Sequence, residues 1–78
     1  MPRTSVATRL TNHLLSLANR RSTGTVTSDD AQRILNRWNY NGNRNVIGGI
    51  LRSNFRSVGF TRSTVPTNKD RTIRVWKA

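Results

Sequence analysis

The chain has no cysteine, one histidine and three acidic residues in 78. Without cysteine there is no disulfide, no thiolate nucleophile and no thiolate zinc site. His13 stands alone in a helical stretch, with no second histidine and no nearby acid to make it a metal ligand or a general base. Asp29 and Asp30 are sequence neighbours that face different ways on a helix, so they do not form a carboxylate pair. Gly48-Gly49 lacks the Lys-Ser/Thr that follows a phosphate-binding glycine loop. No catalytic residue, metal or cofactor is therefore expected. Long apolar runs are missing too, which argues against a membrane span or a signal-peptide core. The expectation is a cytoplasmic protein, in a cell or in the host of a virus, with no membrane partner. Hydrophobic residues make up only 33%. A chain this short buries a modest core, which leaves a homodimer open. It reads as one domain over 1–78, with flexible ends at 1–4 and 77–78.

What the chain does have is positive charge. Fourteen Lys and Arg stand against three acids, a net +11. Twelve of the fourteen are arginine. The guanidinium is a planar fork that matches phosphate and the edge of guanine, where lysine offers a point charge. Nucleic acid is thus favoured over other acidic partners, although charge alone also attracts acidic proteins.

The apolar pattern divides the chain into elements. Val6, Leu10, Leu14 and Leu17 predict a helix over 5–19, capped by Thr4 or Ser5 and ended by Arg20, Arg21 and Gly24. Thr25 to Thr27 is β-prone, a short strand or a linker. Thr27 or Ser28 caps a second helix, with Asp29 and Asp30 in its first turn and Ala31, Ile34, Leu35 and Trp38 on its apolar stripe. Asn39 to Asn43 is a turn of residues that tolerate left-handed angles. A third helix is expected from about Asn43–Asn45 to Phe55, with Val46, Ile47, Ile50, Leu51 and Phe55 inward. The period then changes. Val58 and Phe60 alternate with Gly59 and Thr61, Pro66 to Asp70 supply a turn, and Thr72 to Trp76 alternate again, with Ile73 and Val75 opposite Arg74 and Trp76. Two such runs around a polar turn predict a hairpin. Trp38 fits the core, while Trp76 either covers the first helix or forms a dimer contact.

The order helix, short strand, helix, turn, helix, hairpin resembles a winged helix-turn-helix domain. The resemblance covers about Ser5 to Lys77 and rests on that architecture together with the run Leu51-Arg-Ser-Asn-Phe55, Val58-Gly-Phe60 and a basic hairpin closing on Arg74-Val-Trp76. It implies an α+β fold, a third helix in the major groove and a hairpin serving as a wing. The turn before the third helix is longer and richer in Asn than is usual in such domains.

On a helical wheel the side opposite the third helix's apolar stripe carries Asn45, Gly48, Gly49, Arg52 and Arg56, with Arg44 at the margin. Arg reads guanine and Asn reads adenine by paired hydrogen bonds. In the hairpin, Lys69 and Arg71 at the tip and Arg62 and Arg74 on the strands are the expected groove or phosphate contacts; a charged strand edge that discourages aggregation is the alternative for each. Residues 44–78 hold eight cations against Asp70, a net +7, and residues 1–43 a net +4. The expected function is duplex DNA binding by a regulator of transcription or replication. The alternative is an interaction protein, of viral or regulatory origin, that binds and inhibits an acidic protein partner with the same scaffold; RNA binding is a third and weaker reading.

Overall fold

A computed structural model of the chain describes residues 5–65 and 71–78. The turn expected at Pro66–Asp70 lies outside them. The element order is α1 (Val6–Arg20), β1 (Thr25–Thr27), α2 (Ser28–Arg37), α3 (Val46–Asn54), β2 (Arg56–Arg62) and β3 (Thr72–Lys77). This is an α+β domain of three helices and one three-stranded antiparallel sheet in the order β1-β3-β2.

Capping residues set the start of α1 and both ends of α2. Ser5 accepts the Thr8 amide at 3.2 Å and starts α1. After Arg20 the chain turns through Gly24 at φ +67°, an angle that a Cβ resists. Asp30, at the third position of α2, accepts the Thr27 amide at 2.8 Å, the carboxylate half of a capping box. The end of α2 is a Schellman motif. Asn39 takes the left-handed φ of +54°, its amide donates to Asn36 O at 3.1 Å, and the Tyr40 amide donates to Leu35 O at 3.0 Å. The Asn-rich turn therefore uses its first Asn for the left-handed position. α3 starts at Val46, later than the sequence suggests, because Asn43 Oδ1 accepts the Asn45 amide at 2.8 Å and holds the preceding residues in a turn. It includes both Gly48 and Gly49 and stops at Phe55, whose φ of −133° is extended.

One cluster forms the core. Leu10, Leu14 and Ala18 of α1 meet Val26 of β1, Ala31, Ile34 and Leu35 of α2, and Ile47, Ile50, Leu51 and Phe55 from α3 and its end. Trp38, Tyr40 and Trp76 pack against its margin, half-buried. In the sheet, partners directly across from each other share a face. Val26, Trp76 and Ser57 are such a row. Val26 is fully buried, so Trp76 points to the core and covers it, while Ile73 and Val75 lie on the far face. Lys77, expected in a flexible end, pairs instead with Thr25 and Arg56 inside the sheet. Between Ser57 and Gly59 the β2–β3 register slips by one residue, a bulge at Val58.

Candidate nucleic-acid interface

The geometry begins with the acids. Asp29 and Asp30 are the acidic side chains among the described residues, and both are buried, at 4% and 6% exposed. Asp30 takes a bidentate pair from Arg21, with Nη1 and Nη2 each at 2.9 Å, and has Arg33 at 3.7 Å. Asp29 accepts the Ser63 hydroxyl at 2.8 Å and the Thr64 amide at 2.7 Å, which ties the end of the β2 segment to the start of α2. Arg33 of α2 also donates to the Thr64 hydroxyl. Asp29 thus takes no cation, and apart from Arg21 and Arg33 the described cations meet no side-chain carboxylate of the described residues within 4 Å.

The expected site residues fall into separate groups. Asn45, Gly49 and Arg52 are exposed on the outer side of α3, and Gly48 is half-buried beside them. Arg52 lies back along the helix, its Nε 3.4 Å from Gly48 O. A Cβ on Gly48 would come no nearer than 3.8 Å to Arg52 Nη2, and one on Gly49 would meet nothing within 4 Å. Neither glycine is needed for packing against another helix. Gly49 also borders an open groove of about 570 Å³ between α1 and α3, which Ala7, Thr11 and Ile50 help to line.

Two residues assigned to that face belong elsewhere. Arg56 is not on the helix. The chain goes extended at Phe55, and Arg56 opens β2 opposite Lys77. Arg44 is half-buried and engaged: its Nη1 donates to Gln32 Oε1 at 2.7 Å and its Nη2 to Tyr40 O at 3.3 Å. Arg44 therefore braces the turn against α2 and has few donors left for a base.

In the β2–β3 ribbon, Arg62 pairs with Thr72 and Arg74 with Phe60, so Arg62 and Arg74 share the face that Trp76 begins. Arg71 is exposed just before β3, its carbonyl accepting the Ser63 amide at 2.7 Å. Lys69 lies outside the described residues. Arg20, the last residue of α1, is exposed, whereas Arg21, which follows it, is held by Asp30.

Two features had weak signals in the sequence. Arg9 lies over the Trp38 ring at 4.6 Å, with His13 edge-on to the same ring at 5.8 Å, an α1–α2 contact made of helical neighbours on facing stripes. Phe60 is 65% exposed with Arg74 at 5.3 Å over its ring. Among the described residues no helix is long and apolar enough to cross a membrane. Comparison of the chain with protein-family models, curated proteins and solved structures gives no match.

Proposed function

We infer that the chain is a winged helix-turn-helix protein that binds duplex DNA, with α3 in the major groove and the β2–β3 ribbon as the wing, and that it regulates transcription or replication. The element order is the one this reading requires. The observation that carries it is the fate of the acids. Both described carboxylates are buried and spent on Arg21, Thr27, Ser63 and Thr64, so among the described residues no side-chain carboxylate offsets the arginines on the outer side of α3 and on the ribbon. A polyanion gains most from such a surface, because each neutralised phosphate releases counterions. Arg52 and Asn45 on α3 are of the types that read guanine and adenine edges.

The test is binding to a pool of short duplexes across a salt series. Four phosphate contacts, as from Arg20, Arg62, Arg71 and Arg74, give a slope of log Kobs against log salt of roughly −3 to −4. Absence of duplex binding at low salt would refute the reading. Equal binding to an acidic polypeptide such as polyglutamate would replace it with recognition of an acidic protein surface.

A further inference from the structure

Phe60 is the aromatic residue that the core does not use. Phe55 is buried, and Trp38, Tyr40 and Trp76 pack against the core cluster, whereas Phe60 stands 65% exposed. A phenyl ring left in water forgoes its burial free energy. The bulge at Val58 decides where the ring goes. Arg56 and Ser57 pair with Lys77 and Trp76; without the slip, Phe60 would fall opposite Ile73 on the far face, an apolar pair. With the slip it falls opposite Arg74, on the same face as Arg62 and Thr72. Bulges re-aim side chains in this way. The guanidinium of Arg74 lies 5.3 Å from the ring centroid, and Arg62 follows two residues along the strand, about 7 Å on.

We propose that this ribbon face is a stacking platform for an unpaired nucleotide, with its base on the Phe60 ring and its flanking phosphates at Arg74 and Arg62. The inference takes its ligand class from the nucleic-acid reading but does not need the duplex. A base inside a duplex shows a groove only its edge, while an unpaired base shows its face, and an exposed aromatic ring between arginines fits the face and the phosphates together. A lone apolar contact would not call for two arginines on the same face. The proposed occupant is a single strand of DNA or RNA, free or as the unpaired tail of a duplex.

The experiment compares four probes by fluorescence anisotropy: a blunt duplex, the same duplex with a six-nucleotide unpaired tail, a twelve-nucleotide DNA strand, and its RNA counterpart. The tail is expected to tighten binding by roughly tenfold or more, as base–aromatic stacking does. Phe60→Thr, which puts a strand-compatible β-branched residue in its place, should remove that gain and leave blunt-duplex binding within twofold. Phe60→Trp should retain the gain and add an indole signal quenched by the strand, seen as a difference from the wild-type chain with its Trp38 and Trp76. The DNA and RNA strands show which source the platform prefers. If blunt duplex does not bind but the strand does, losing affinity in Phe60→Thr, the duplex reading fails and the platform stands. If neither tail nor strand depends on Phe60 in a variant that melts like the wild-type chain, the platform is refuted. A dimer in sedimentation that Phe60→Thr abolishes would give this face to a second copy of the chain and overturn the proposal.

Discussion

Replacing both glycines of α3 by alanine separates two reasons for their presence. In the middle of a helix each costs roughly 0.4–1 kcal/mol relative to alanine. Such a cost is accepted when a side chain would collide or when φ is positive, and neither holds: the nearest atom to an added Cβ is Arg52 Nη2 at 3.8 Å from Gly48, the space around Gly49 is open, and both lie within α3. Gly48→Ala with Gly49→Ala is therefore expected to stabilise the domain by about 1–2 kcal/mol, raising Tm by roughly 5–15 °C for a chain of this size. Thermal unfolding by circular dichroism reads this directly. If the glycines are there so that the α3 backbone can approach DNA, the same variant should bind duplex about tenfold more weakly, a loss of 1.4 kcal/mol. A gain in Tm with unchanged affinity would remove close approach as their reason. A fall in Tm would refute the premise that these positions are ordinary helix.

The remaining predictions concern ties that the structure makes visible. Asp29→Ala leaves the buried Ser63 hydroxyl without its acceptor and frees the Thr64 amide, and should cost about 2–3 kcal/mol in denaturant unfolding, with faster hydrogen exchange at Thr64; an unchanged midpoint would show that the tie does not hold the ribbon. Asn39→Val puts a β-branched residue at φ +54° and should cost about 1–2 kcal/mol, whereas Asn39→Gly should be neutral or stabilising. Arg52→Ala should relax discrimination among duplex sequences, roughly 1–3 kcal/mol at one base pair, while Arg71→Ala should weaken all sequences alike and flatten the salt slope by about one unit. Equal, sequence-independent losses from both would show that α3 does not read bases.

Local patterns in the sequence carry much of the fold. The stripe Ala31, Ile34, Leu35 places α2, Ser5 caps α1 and Asn39 takes the left-handed position of the turn, as their types suggest. Interactions set by distant residues were not legible. Asp29 reads as a helix-dipole anion, but its main partners lie 34 and 35 residues away. Arg44 looks like a free cation near a helix start until Gln32, twelve residues back, claims it. Arg56 continues the helical wheel of α3 on paper, and only the extended Phe55 removes it. The face that Phe60 occupies depends on a one-residue slip, and strict alternation hides a slip of that kind.

The strand at the centre of the sheet follows all the others in the chain. β1 and β2 are not neighbours; among the described residues each pairs with β3 alone. As the polypeptide is synthesised, α1, α2 and α3 can associate while β1 and β2 still lack their hydrogen-bonding partner. The sheet closes only when Thr72–Lys77 arrives between them, drawing Thr25–Thr27 to residues about fifty positions away. Contacts of that separation pay loop-closure entropy late, which slows folding. A ribosome that stops short of Thr72 would thus release helices with two open strand edges, a species suited to aggregation and to proteolysis rather than to partial activity.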